Sequence, residues 1–524
     1  MILRRAGPYA SLLELEADPG AEVAHAVADL RDRLEAVAPP EVRELVPGET
    51  SILVEHRPTL NARTLRAWLA RAERAAPPSR EPVRRTVAVA YGLGADVAEL
   101  ETALGRSFDE IARLHAGHEA TVTFLGYAPG FPYLAGLPDE LRAPRRERPR
   151  GRLPAGSVTI GADRGGLYPT AAPGAGWVLG RTDAPLFDPH RDPPAWLASG
   201  DRVRFRSVAP EDLVRTDPPT RGPLEVAGPA LQVEGVAAAS ASLQGGSRFG
   251  GGSLGLAQAG ALDPLAREAG NRMLGNEPDA PVLELVAPPL VLASEAPLRA
   301  AVTGGGVQVV LDGRPISTWR TFAWPAGSVV ELRPDPHARG RTAILAVQGG
   351  FVSEVWRGSP STDLRAAAGG SRRWLTPGDR LVLAGAAPRG ALPHPGRPRY
   401  ARRIALRLHA GPDLDPVAFE ELTRRAFRLA GADRASALLD GPPVPVPAAE
   451  RSVAGMPWGG VQVTPGGAAT VLLSDRARTG AYPIPAVVDP RDLWRLAQAR
   501  PGDEVWLLDA RGATRAHEPL DFGT

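Results

Sequence analysis

SGDRVRF at 199–205, PGDRLVL at 377–383 and PGDEVWL at 501–507 decide the fold. In each, a Gly-Asp turn launches a short strand, and glycine enters such a turn without steric cost. The echo extends upstream. GVQVVLDG at 306–313 and GVQVTPGG at 460–467 share a hairpin pattern, and GSVTIGAD at 156–163 is a looser version of it. Gly156 precedes Gly200 by 44 positions and Gly460 precedes Gly502 by 42, so nearly the same length of chain twice separates hairpin from terminal strand. A fixed interval between matching segments marks repeated units, and short strands punctuated by glycine and proline make those units β-barrels. The expectation is three related barrels, over 81–209, 222–385 and 400–512.

Before the barrels the period is different. A strand is expected near 10–15. Asp18 and Pro19 then open a helix to Val37, with Val23, Val27, Leu30, Leu34 and Val37 on one face. Extended runs EVRELV (41–46) and TSILVEH (50–56) follow, then a helix carrying Leu65, Trp68 and Leu69, then the strand RRTVAVAYG at 84–92. The order β-α-β-β-α-β is the ferredoxin-like arrangement, giving an α+β unit over 1–80 ahead of a mainly β remainder. Two more helical segments are expected at 96–104 and 107–115. Pro- and Gly-rich stretches at 76–82, 210–223 and 385–400 read as linkers.

Composition limits the chemistry. With 524 residues, 43% hydrophobic and 23% charged, the chain is globular and too long for one core. It contains no cysteine and no lysine, so all 61 basic side chains are arginine. That excludes disulfides, thiolate sites, a Walker lysine, a Schiff base and a biotinylated lysine on this chain. The formal charge is only +2, with arginines scattered among acids, and nucleic-acid binding is not indicated. No histidine spacing suggests a metal site. No apolar run approaches the ~18 residues that span a bilayer, and the start of the chain lacks a signal-peptide core, so a cytoplasmic protein without membrane contact is expected.

Several segments can carry chemistry. GYAPGFPYLAGLP (126–138) sets Tyr127, Phe131 and Tyr133 around Pro129, Gly130 and Pro132, as a rigid ligand wall or as a barrel plug. RAPRRERPRGR (142–152) offers Arg145, Arg146 and Arg150 as a clamp for a carboxylate or phosphate, or as a solvated loop. GGSRFGGGSLG (245–255) can form a nest of backbone amides for an anion, or a hairpin end. In AGALDPLAREAGNRMLGN (259–276) and PVLELV (281–286), Asp263, Asn271 and Glu284 can orient water or a substrate amide, although Asp263 before Pro264 is also a good helix start. Ser359, Ser361 and Thr362 in GSPSTD, and Asp475, Arg476 and Tyr482 in LLSDRARTGAYP (472–483), are either polar sites or ordinary turns and salt bridges.

Taken in order, GYAPGFPYLAGLP, PAGSVTIG, LYPTAAPGAGW and SGDRVRF resemble the B subunit of 5-oxoprolinase, also described as the Kip-type kinase inhibitor or allophanate hydrolase subunit 1 family. From 223 to about 508, AGALD, AGNRMLGN, LEL, GSPST, PGDRL, GVQV, SDRARTGAYP and PGDEV resemble the C subunit, described too as the Kip-type antagonist or allophanate hydrolase subunit 2 family. Both are related to the carboxyltransferase part of urea amidolyase. The resemblance implies a ferredoxin-like unit followed by three cyclophilin-like barrels, and a component of an enzyme that opens the 5-oxoproline lactam to glutamate. It also implies ATP with Mg and, as a partner, the separate A subunit of 5-oxoprolinase; biotin, if used, is carried on another chain. Homo-oligomer formation is compatible with it. The residues selected for catalysis are Asp263, Asn271 and Glu284. Those selected for substrate binding are Tyr127, Phe131, Tyr133, Arg145, Arg146, Arg150, Gln244, Arg248, Ser361, Thr362, Asp475 and Tyr482. The family's QDxGR-like element stands here as Gln244, Gly245, Gly246, Ser247, Arg248, without its acid, and Leu438 occupies a position where the family carries arginine. The alternatives are a biotin-dependent carboxyltransferase acting on urea or a related amide, and a non-enzymatic regulator binding a histidine kinase.

Overall fold

The computed structural model describes residues 1–76, 80–94, 96–144, 146, 150–213, 224, 226–385, 396–447 and 451–513. Most of the linker stretches expected at 210–223 and 385–400 lies outside the described residues. The three Gly-Asp turns are built alike. Gly200, Gly378 and Gly502 have φ of 87°, 90° and 88°, the left-handed region that favours glycine. The following aspartates then accept a hydrogen bond from the backbone N–H three residues upstream: Asp201 from Ala198 (3.0 Å), Asp379 from Thr376 (2.8 Å) and Asp503 from Arg500 (2.8 Å).

Two of the turns close equivalent seven-stranded barrels. In the first, the order runs Arg84–Tyr91, Trp177–Arg181, Ser157–Gly161, Arg164–Leu167, Pro132–Ala135, Glu119–Leu125, Arg202–Ser207 and back to the start. In the last it runs Arg403–Ala410, Ala486–Val488, Gly460–Val463, Ala469–Leu472, Ser436–Asp440, Phe427–Ala432, Glu504–Asp509. The Gly-Asp strand in each case lies parallel to the first strand of its barrel, and the hairpin echoes at 156 and 460 occupy the same place. Apolar side chains on alternate positions, such as Val87, Val89, Val203 and Phe205 in the first barrel and Leu406, Leu408, Val505 and Leu507 in the last, fill the two interiors.

The middle unit departs from the expected third closed barrel. Its strands divide into a six-stranded sheet and a five-stranded sheet packed around Leu231, Leu243, Leu292, Val302, Trp324 and Leu345. The Gly-Asp strand Arg380–Val382 pairs antiparallel with Ala230–Val236 rather than parallel, so the ring is not completed as in its neighbours.

The N-terminal unit takes its edge strand from a different place than expected. Its antiparallel sheet runs in the order Ile2–Arg5, Ala10–Glu14, Ser51–His56, Val42–Pro47. The strand Arg84–Tyr91, expected to complete it, belongs to the first barrel, where Asp201 accepts the Val83 backbone N–H (2.9 Å). The helices Ala21–Ala36 and Ala62–Arg74 pack on the sheet through Val27, Leu34, Leu65, Trp68 and Ala72. The Trp68 indole donates to the Leu34 carbonyl (3.0 Å), and Asn61 caps the second helix by accepting the Arg63 and Thr64 backbone N–H groups. Among the described residues no helix is long and apolar enough to cross a membrane.

Candidate functional site

The loop at 126–131 turns on Gly130, whose φ is 71° and whose Cβ position lies 2.9 Å from the Leu186 carbonyl oxygen, so a side chain there would collide. The turn stacks the aromatics on one another: Tyr127 against Phe131 (5.5 Å between centroids), Phe131 against Tyr168 (5.0 Å) and Tyr133 against Phe124 (4.4 Å). Phe131 is core, while Tyr127 and Tyr133 are half-buried, so the segment is plug and wall together.

That wall forms one side of a cavity of about 440 Å³ between the first and last barrels. Thr159, Arg164 and Tyr168 extend it, and Ser436, Gln462, Thr470, Thr479 and Tyr482 face it from the last barrel. The Tyr133 hydroxyl and Thr479 Oγ1 lie 3.2 Å apart, a hydrogen bond across the two barrels. The Tyr127 hydroxyl donates to the Pro173 carbonyl (2.6 Å), and burial pushes its pKa up to about 12, against the pull of Arg365, so it stays a neutral phenol.

The cavity's cations are unequal. Arg164 is paired with Glu49 and Asp163, and Arg476 with Glu55 and the Gln258 amide. Arg365, contributed by the middle unit, forms no ion pair among the described residues. Its backbone N–H is held by Asp363 (3.1 Å), which fixes where the side chain departs. Arg365, Ser436 and Gln462 are among the cavity residues that sequence reading missed; for Arg365 the signal was its place two positions after Asp363 of the GSPSTD run.

Other selected residues lie elsewhere. Arg146 and Arg150 do not reach the cavity as a clamp. Both are bound to Asp96, which has no exposed surface and also accepts the Val178 backbone N–H (2.8 Å), and Arg146 lies 4.7 Å over the Trp177 ring. Arg145 lies outside the described residues. Gln244, Arg248, Ser361 and Thr362 are buried in a knot that ties 244–248 to the GSPSTD loop. Gln244 donates to Ser242 (3.0 Å) and accepts from the Gly260 N–H, Arg248 donates to the Ser361 carbonyl (2.7 Å), Ser361 to the Gly246 carbonyl (2.9 Å) and Thr362 to the Leu243 carbonyl (2.8 Å). With their hydrogen bonds made internally they are positioned to hold loops.

The three residues selected for catalysis each have their polar groups held by internal partners. Asp263 caps the helix Pro264–Leu274 by accepting the Ala266 N–H (2.9 Å) and also accepts from the Gln498 amide (2.8 Å). Asn271 donates to the Ala280 carbonyl (3.0 Å) and accepts from Asn276 (3.0 Å). Glu284 accepts the Leu262 N–H (2.6 Å) and pairs with Arg434, whose other face binds Asp475 (2.8 Å). Burial holds the Asp263 and Glu284 carboxyls above the usual range, in Glu284 against the opposing charge of Arg434. Asp475 is therefore half of an internal ion pair, and among the described members of the selected set Tyr127, Phe131, Tyr133 and Tyr482 share the cavity.

The Gly-rich segment does not fit a nucleotide's phosphates. The backbone N–H groups of Gly251 and Gly252 both donate to the Glu44 carboxylate (2.7 and 2.6 Å), so the chain's own anion fills the nest. Among the described residues no group of three or more His, Cys, Asp or Glu side chains is placed to hold a metal ion.

Residues 1–197 match the carboxyltransferase domain, subdomains C and D, and residues 254–508 match the carboxyltransferase domain, subdomains A and B. The B subunit of 5-oxoprolinase from Escherichia coli O157:H7 is 40% identical over 206 residues, covering 38% of this chain and 92% of that protein. The C subunit of 5-oxoprolinase from Haemophilus influenzae is 31% identical over 280 residues, covering 51% of this chain and 86% of that protein. A crystal structure of the protein designated TTHA0988 superimposes with a TM-score of 0.85 at 35% identity, over 97% of this chain and all of that one. Paired barrels around a shared cavity thus define a carboxyltransferase-domain protein. More particularly, the chain belongs to the family of the 5-oxoprolinase B and C subunits, with a B-like half followed by a C-like half in one polypeptide.

Proposed function

We propose that the chain is the B–C component of an ATP-dependent 5-oxoprolinase and that the larger cavity seats 5-oxoproline. The observation that carries this reading is that the B-like and C-like halves meet there, each contributing polar side chains to one space. 5-Oxoproline is a small lactam, uncharged at its amide, bearing one carboxylate. Arg365, which forms no ion pair among the described residues, offers its guanidinium to that carboxylate in the fork geometry that carboxylates prefer. The phenols of Tyr127 and Tyr482, the Ser436 hydroxyl and the Gln462 amide offer hydrogen bonds to the lactam.

A lactam carbonyl is a poor electrophile, and phosphorylation of its oxygen, the chemistry ATP supplies, makes it attackable by water. Because the Gly-rich segment is filled by Glu44 and the Arg-rich loop is tied to Asp96, we assign nucleotide handling to a separate A subunit. This chain binds and orients the lactam and shields it from bulk water. We place the complex in the cytoplasm, where ATP is available.

The test combines the purified chain with a matching A subunit in the presence of ATP, Mg and 5-oxoproline. Glutamate is expected only when all are present. Avidin-sensitive incorporation of bicarbonate without glutamate would support a carboxyltransferase instead, and tight binding of a histidine kinase with neither reaction would support a regulator.

A further inference from the structure

A second cavity, of about 280 Å³, is divided from the larger one by a hydrogen-bonded cluster: Glu55 and Gln258 line the smaller space and Arg476, bound to both, lines the larger. Three parts of the chain wall it. Tyr9 and Arg43 come from the N-terminal unit, Phe249 and Leu265 from the middle unit, and Trp458 and Trp494 from the last one. None of these residues takes part in the reading above.

The charge and the apolar wall of this cavity ask for an occupant of one chemistry. Arg43 is exposed, lies 4.8 Å over the Phe249 ring and forms no ion pair among the described residues. The nearby carboxylates are already held, Glu55 by Arg476 and Arg478 and Asp489 by Arg491. Both His56 ring nitrogens are occupied, by Ser11 Oγ (3.2 Å) and the Arg57 carbonyl (2.9 Å), and burial holds its pKa below the usual value, so it adds little charge. The uncompensated charge at the cavity is therefore positive, while most of its wall is apolar.

We propose that this cavity is a second ligand site, for a small carboxylic acid with an apolar body. Its carboxylate pairs with Arg43, and the body lies among Phe249, Leu265, Trp458 and Trp494. Such a molecule differs from 5-oxoproline, whose small ring carries a polar amide.

Calorimetric titration of the full chain with benzoate and with 1-naphthoate tests this, with 1-naphthamide as the uncharged control. Saturable one-site binding of at least one acid is expected. Arg43→Gln should weaken the acid by about tenfold or more while leaving the amide unchanged, as expected for loss of a charge-assisted contact. Leu265→Trp, placed at a partly exposed position and filling the space, should remove both. Circular dichroism establishes that each variant is folded. Absence of saturable binding by either acid, or equal acid affinity in the wild type and both variants, overturns the proposal.

Discussion

Asp96 and Arg365 carry charges whose different roles the surrounding sequence does not show. Asp96 is fully buried and shared by Arg146, Arg150 and a backbone N–H. Removing one partner of such a cluster leaves the others desolvated and unpaired. Asp96→Ala is expected to lower unfolding free energy by about 3 kcal/mol, read by urea denaturation, with 5-oxoproline affinity changed only in proportion to the unfolded fraction. Arg365→Gln is expected to do the reverse. Unfolding should stay within about 0.5 kcal/mol of wild type, while KM for 5-oxoproline in the complete enzyme rises roughly 10- to 100-fold with kcat less affected. A KM unchanged by Arg365→Gln would remove this residue from the site.

At the scale of single elements, the first helix was legible because its buried face, with Val27 and Leu34 fully covered, repeats at a local period. The Gly-Asp turns were legible because their chemistry is local too. The strand Arg84–Tyr91 was misassigned because its neighbour, Arg202–Ser207, lies more than a hundred residues away, and nothing in an alternating run says which sheet will pair with it. The same limit hid the roles of Arg146 and Arg150, whose partner Asp96 is distant in sequence, whereas the aromatic loop was recognised because Pro129, Gly130 and Pro132 constrain it from within. Asp263 illustrates a residue with two plausible roles, and the structure gives it a helix cap. Burial raises its folded pKa, so its favourable contribution is fully present below its unfolded value of about 4 and is lost as pH rises through the folded value. Asp263→Asn keeps an acceptor for the cap and does not titrate. Stability measured across pH 4–8 should therefore fall with pH in the wild type relative to this variant; parallel profiles would contradict the assignment.

The whole molecule is fastened by ion networks that join its parts. Glu44 and Glu55 on the N-terminal sheet reach Arg476 and Arg478 of the last barrel, and Gln258 of the middle unit joins them. The two arginines have no exposed side-chain surface, and together they hold the Glu55 carboxyl below its usual range although its burial works in the opposite direction. Glu55→Gln is expected to cost about 3–5 kcal/mol and to separate unfolding of the N-terminal unit from that of the last barrel, visible as a second transition by calorimetry. A single unshifted transition would show that the network contributes little to assembly. The cavity depends on the same assembly, since one wall is the Tyr127 loop and the other is Ser436, Gln462 and Tyr482. A crystal structure of the chain soaked with 5-oxoproline tests that arrangement most directly. The lactam is expected between Tyr127 and Tyr482, its carboxylate on Arg365; 5-oxoproline bound within one barrel alone, or away from Arg365, would contradict it.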